Sequence, residues 1–229
     1  MIQILVFTIF SLDQRINLKY GKSISLIGEG PPVIFSSGII GTNPSCFYSQ
    51  MINIMKNNVT VVSINEFNIL NDKDICTIAD ALCVDYVSLF THCALDKNIF
   101  RSSRIHNAVI CDPIYLPTFC SENRIKCNFP TLFLNNRNAY KLNNIQFDER
   151  LLSEKYYDYM YFDILDDNLI NKANEIGIWD SIGPNLMNFY DWDFSKKRSK
   201  KNSERKKYRN DIVDDIIQFI LHDLKYEDD

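Results

Sequence analysis

Apolar residues fall in short, nearly continuous runs along this chain: 24–27 (ISLI), 33–35 (VIF), 59–63 (VTVVS), 86–90 (YVSLF), 108–111 (AVIC) and 131–134 (TLFL). The runs are rich in β-branched and aromatic residues. Continuous rather than alternating apolar character predicts strands covered on both faces, as in a parallel sheet. Between several of them the spacing turns helical. Residues 46–57 place Phe47, Met51, Ile54 and Met55 on one face. Residues 72–83, opening on the capping signal Asn71-Asp72, bring Ile75, Ile78, Ala79 and Leu82 together. A last helix over 210–225 carries Ile212, Ile216, Phe219 and Ile220 at helical spacing. Strands alternating with helices of this length predict an α/β fold built from βαβ units, with a mainly parallel central sheet and helices on both faces.

Composition adds bounds. A length of 229 residues fits a single α/β domain spanning 1–229, and 46% hydrophobic with 24% charged residues describes an ordinary globular protein. The seven cysteines are odd in number and none forms a C-x-x-C pair, so neither a zinc site nor a disulfide framework is indicated. No metal or cofactor is called for. The opening MIQILVFTIF lacks a basic leader and a small-residue cleavage site and is too short to span a bilayer; it reads as a strand. The expected location is cytoplasmic or virion-associated. Heavy use of Asn, Ile, Lys, Asp, Tyr and Phe is similar to proteins of AT-rich genomes, large DNA viruses among them.

One stretch breaks the pattern. Residues 195–209 read SKKRSKKNSERKKYR and hold nine Lys or Arg against one Glu. The chain carries −4 overall, which leaves about −12 elsewhere (16 basic against 28 acidic). Nine like charges without apolar periodicity predict an exposed, flexible loop at 195–209. The alternative is a polyanion-binding arm in which Lys196, Lys197, Arg198, Lys200 and Lys201 contact phosphates. Nucleic acid is the less favoured partner, because the acidic remainder repels a long duplex and only Tyr208 offers a ring for stacking.

The order of five motifs resembles the α/β-hydrolase superfamily, in particular its chlorophyllase-like and esterase-like members. PVIFSSGIIG (32–41) is similar to the third strand and oxyanion loop, and DYVSLFTHCAL (85–95) to the fifth strand and nucleophile elbow. NAVICDP (107–113) resembles the next strand, and NFPTLFL (128–134) the one before the triad acid. YMYFDILD (159–166) is similar to the Gly-His-Phe-Asp-x-Leu-Asp stretch that carries the histidine. The resemblance implies Cys93 at the nucleophile position, Tyr161 where the histidine belongs, and the backbone N–H groups of Ile39 and Ala94 as oxyanion donors.

The chemistry departs from that pattern. An elbow needs small residues two places either side of the nucleophile, because the turn is strained. Here Thr91 and Leu95 occupy those places, which predicts a relaxed turn at Cys93. The sequence contains only His92, His106 and His222, and none between 107 and 221. His92, beside the nucleophile position, reads as a packing residue. His106 lies at the amino end of a strand, and His222 lies inside the last helix. A phenol such as Tyr161 is roughly 0.1% ionised at pH 7 and does not replace an imidazole. After Leu134 come Asn135, Asn136, Arg137 and Asn138, with no carboxylate for a triad acid.

Two function classes emerge, with a third beside them. The first is a hydrolase-like protein with a degenerate triad, serving as a binding or structural module for a small ester-like ligand or a protein. The second is a thiol-dependent esterase or thioesterase that uses Cys93. The third is polyanion binding through 196–209.

Overall fold

The computed structural model describes residues 14–18, 22–37, 44–64, 70–94, 97–114, 125–136, 145–147, 152–157, 164–168 and 202–223. The opening run 1–10, expected as a strand, lies outside them. In chain order the elements are β1 (Gln14–Asn17), β2 (Ser23–Ile27), β3 (Pro32–Ser37), α1 (Pro44–Phe47), α2 (Ser49–Met55), β4 (Thr60–Ile64), α3 (Asp72–Leu82) and β5 (Val87–Ala94). A 3₁₀ turn (Lys97–Arg101) leads to β6 (Ile105–Ile114), β7 (Ile125–Cys127), β8 (Thr131–Asn136), β9 (Ile145–Phe147), β10 (Leu152–Tyr157) and α4 (Asn202–Asp223).

Eight strands form one sheet in the order β1-β2-β4-β3-β5-β6-β8-β10. The pairings β1–β2 and β2–β4 are antiparallel, and the other five across the sheet are parallel. The five apolar runs at 33–35, 59–63, 86–90, 108–111 and 131–134 therefore form adjacent, mutually parallel strands. β7 and β9 pair separately, also in parallel. As expected, 32–37 and 87–94 lie side by side as parallel strands.

Successive residues on a strand face opposite ways, and the two faces carry separate cores. Val33, Phe35, Phe90, Val109, Cys111, Leu132 and Leu134 pack with Met51 and Met55 of α2 and with α4. Ile34, Leu89, Ala108, Ile110 and Phe133 pack with Ile75, Ile78 and Ala79 of α3 and with Phe100 of the 3₁₀ turn. Both faces are dry. That is why the strands read as unbroken apolar runs.

The helix ends obey local chemistry. Asn71 caps α3: its side chain accepts from the Asp74 N–H, and the Asp74 carboxylate accepts from the Asn71 N–H, a reciprocal capping box. Asp72 and Asp74 also sit at the positive end of the helix dipole. The expected 46–57 helix is two pieces, α1 and α2, broken at Tyr48 (φ −127°, ψ 25°), which offers α2 no side-chain cap. A distant carboxylate supplies it. Asp166 accepts from the N–H groups of Ser49 and Gln50, each at 2.9 Å, and from the Ser49 hydroxyl.

The basic stretch is corrected most. α4 begins at Asn202, so 202–209, expected to be loop, is helical, and the helix does not wait until 210. Arg205 and Arg209 are buried and share one carboxylate, so the stretch does bury side chains, which the lack of apolar periodicity had argued against. Asp167 Oδ1 accepts from Arg205 Nε at 2.9 Å, and Asp167 Oδ2 from an Arg209 terminal nitrogen at 2.8 Å. Residues 195–201 lie outside the described residues. Further along α4, Ile212, Val213, Ile216 and Ile220 are fully buried, each worth roughly 1.5–3 kcal/mol. A buried ion pair nets close to nothing against an apolar replacement. The apolar half therefore supplies most of the docking energy.

Two backbone positions give opposite predictions. Exposed Cys83 ends α3 in the left-handed region at φ 55°, where an L side chain costs roughly 1–2 kcal/mol. Cys83→Gly is expected to raise stability by about 1 kcal/mol. Gly28 sits at φ +100°, and a Cβ there would lie 2.5 Å from the Lys56 carbonyl oxygen. Gly28→Ala is expected to cost about 2 kcal/mol or more. Urea midpoints at unchanged m-value check both.

Candidate functional site

The carboxyl end of the parallel strands is where open α/β sheets place ligands. β3 and β5 lie side by side there, and the register pairs Ser37 with His92. His92 is fully buried on the α2 side of the sheet, and its Nδ1 lies 2.6 Å from the Tyr48 hydroxyl. The two rings meet edge to face, with centroids 5.7 Å apart. Phe35 completes the cluster, tilted against Tyr48 at 5.2 Å and Phe90 at 4.4 Å. An imidazole in this apolar setting is costly to charge. Burial pushes the His92 pKa down to about 3, so the ring is neutral at pH 7.

Cys93 is not on a turn. β5 continues through it to Ala94, which is in register with Ile114 of β6, and the ladder shifts between His92 and Ala94. Among the described residues Cys83 is the one non-glycine with positive φ. The reason is local. Thr91 favours extended backbone, and no glycine within 91–95 offers the freedom for a sharp strand-to-helix turn. Ala94, assigned by resemblance to an oxyanion donor, thus belongs to a strand within the sheet.

Ile39, Tyr161 and the lysine-arginine group Lys196, Lys197, Arg198, Lys200 and Lys201 lie outside the described residues. Three positions beyond Tyr161 the chain is placed again. Ile164 and Leu165 are buried in the α2–α4 core, and Asp166 caps α2. His106 is near the start of β6, at the amino end of the sheet, 6.4 Å from the exposed Tyr86 ring. His222 is exposed on the last turn of α4. The three imidazoles occupy three different places, and the structure brings neither His106 nor His222 to the carboxyl end of β5.

Residues that sequence reasoning missed hold the site together. Tyr48 read as one more helix residue, and its partner lies 44 positions away. Asp167 collects Arg205 and Arg209. Burial by itself would raise its pKa, but the hydrogen bonds and charges of Arg209 and Arg205 outweigh that and hold the carboxyl below its ordinary range. A signal for the arginines existed: Arg205, Arg209, Ile212, Ile216 and Ile220 fall four, three, four and four apart, on one helical face. Among the described residues no group of three His, Cys, Asp or Glu side chains could hold a metal ion, and no helix is long and apolar enough to cross a membrane.

No protein-family model matches the sequence, and no curated protein matches it. Among solved structures the chain is similar to epoxide hydrolases of the α/β-hydrolase superfamily from metagenomes of hot environments (12% identity over 72% of this chain and 97% of that one, TM-score 0.49). It is also similar to an α/β-hydrolase from Sphaerobacter thermophilus (11% identity, 66% and 96%, TM-score 0.42). A Vigna radiata epoxide hydrolase mutant is matched at 19% identity over 48% of this chain and 42% of that one, TM-score 0.36, so the chain spans under half of its length. These are distant likenesses of fold to α/β-hydrolases, and they assign no activity to this chain.

The buried imidazole sets a pH dependence. Its folded pKa lies below its ordinary 6.5, so the unfolded chain takes up a proton that the fold refuses. The stability it permits is complete above pH 6.5 and is lost as pH falls toward about 3, at about 1.4 kcal/mol per pH unit. Urea unfolding at about pH 7 and about pH 5 should show a loss on the order of 2 kcal/mol from this group. His92→Gln, which keeps a partner for Tyr48 and does not titrate, is expected to lose correspondingly less.

Proposed function

We propose that this chain is an α/β-hydrolase-like protein with a degenerate catalytic triad, acting as a non-catalytic binding or structural module. The observation that carries the reading is the state of His92. The imidazole next in sequence to Cys93 is fully buried, neutral, and engaged at Nδ1 by Tyr48. A general base must reach the proton it removes and must accept the charge. Burial that lowers its pKa to about 3 opposes the second requirement, because each pKa unit is about 1.4 kcal/mol against the charged form. Extended backbone at Cys93 supports the same reading, since the strained turn that presents a nucleophile is missing from β5.

The second reading is a thiol-dependent esterase or thioesterase. It needs Cys93 as nucleophile and a base other than His92. Steady-state assays with short-chain activated esters and thioesters separate the two. The expected result is no turnover above buffer, unchanged in Cys93→Ser and Cys93→Ala. Turnover in the parent chain that both substitutions abolish, with the fold retained, would reverse the ranking. Slow stoichiometric labelling by a thiol reagent would not, because an accessible thiol reacts without being catalytic.

A further inference from the structure

α4 is held to the sheet by two kinds of contact that divide along its length. In its second half Ile212, Val213, Ile216 and Ile220 are buried in the core. In its first two turns the fully buried side chains are arginines, Arg205 at 1% and Arg209 at 2% exposure, while Ser203, Glu204, Lys206 and Lys207 face solvent. Both arginines converge on Asp167. Arg205 Nε donates to Oδ1 at 2.9 Å, and Arg209 donates to Oδ1 at 3.1 Å and to Oδ2 at 2.8 Å. Arg209 also donates to the Leu165 carbonyl oxygen at 2.9 Å. The Asp167 side chain is 16% exposed, so this pairing lies at the margin of the core and not deep within it.

From this division we infer that Asp167 is an autoinhibitory contact: it holds the two-pronged fork of Arg209 and the Nε of Arg205 as an internal stand-in for phosphate, and local opening of 202–209 releases both to a short stretch of nucleic-acid backbone, not to the long duplex that the acidic remainder repels. Three features carry the inference. A carboxylate and a phosphate present the same bidentate acceptor edge to arginine, so one can replace the other. The segment that must open is anchored by one half-buried ring, Tyr208 at the edge of the core, whereas 212–220 holds four fully buried aliphatic side chains, so the first two turns are the weaker part of the helix. Lys206 and Lys207 are already exposed beside the arginines, giving the opened segment four positive charges within 205–209. Arginine supplies the forks that face the acid and lysine the charges that face water, as their different hydration and geometry favour. The inference stands apart from the proposed lack of ester hydrolysis, and neither outcome depends on the other.

The test uses the full chain and two readouts. Hydrogen exchange in Asp167→Ala should rise by roughly tenfold or more in 203–209 and stay within about twofold in 212–222 and in β5. Binding of a short random-sequence DNA duplex should tighten, with a log–log salt slope steeper by about 1.8, since each of two newly engaged phosphates contributes about 0.9. A control replaces the trio by apolar side chains, Asp167→Leu with Arg205→Met and Arg209→Leu, to close the contact without charge. It should restore slow exchange in 203–209 and show no gain in binding. Exchange in Asp167→Ala that rises equally in β5, or global unfolding, would place 202–209 in the main cooperative unit and overturn the inference. So would an unchanged salt slope, or binding by neither protein.

Discussion

Two consecutive carboxylates, Asp166 and Asp167, determine how the helical layer over one face of the sheet is assembled. Asp166 takes the N-terminal N–H groups of α2, which Tyr48 leaves without a side-chain cap. Asp167 takes the two buried guanidinium groups of α4. Gln50 joins them, its carbonyl oxygen accepting from the Asp167 N–H at 3.1 Å. Among the described residues Asp167 is the carboxylate that meets the two buried guanidiniums, and removing one partner of such a group typically costs about 3–5 kcal/mol. α2, α4 and residues 164–167 are therefore positioned as a set, and Tyr48, just before α2, is held where its hydroxyl reaches His92.

The sheet was legible because its signal is local. A strand covered on both faces is mostly apolar, with small polar residues at most between: β4 is buried at Thr60, Val61, Val62 and Ser63. Helix α3 was equally plain, since Asn71 and Asp74 stand three apart at its start. The limits of β5 and β6 were less visible. Both run further than their apolar cores, β5 through Thr91 and His92 and β6 from Ile105 to Ile114, because parallel pairing continues past the point where side chains stop looking hydrophobic. Polar residues at the carboxyl end of a buried strand give no sign of whether the chain turns or continues.

The candidate site was legible only through the residues it lacks. Three histidines can be counted, but that His92 faces Tyr48 depends on a break between α1 and α2 that helical periodicity does not announce. The basic stretch misled for a related reason. Counting charge treats Lys and Arg alike, whereas the fold sorts them: Arg205 and Arg209 continue the apolar stripe of α4, and Lys206 and Lys207 lie off it. Among the described residues both meet Asp167, some forty residues earlier, and composition offers no means of pairing them.

These features bear on one another at the end of β5. A hydrolase elbow requires the chain to leave the sheet abruptly, and glycine makes that possible by removing the Cβ that would collide. With Thr91 and Leu95 in those places the cheaper course is to stay extended, and pairing of Ala94 with Ile114 adds ladder hydrogen bonds to that course. Continued pairing keeps His92 inside the sheet, where its ring turns to the helical layer and meets Tyr48. Once there, burial lowers its pKa and keeps it neutral. The same local choice thus keeps the chain extended at Cys93 and places the adjacent imidazole in the core. Restoring glycine at one flank would not by itself recover a base, because the Asp166 cap would still hold Tyr48 over the histidine.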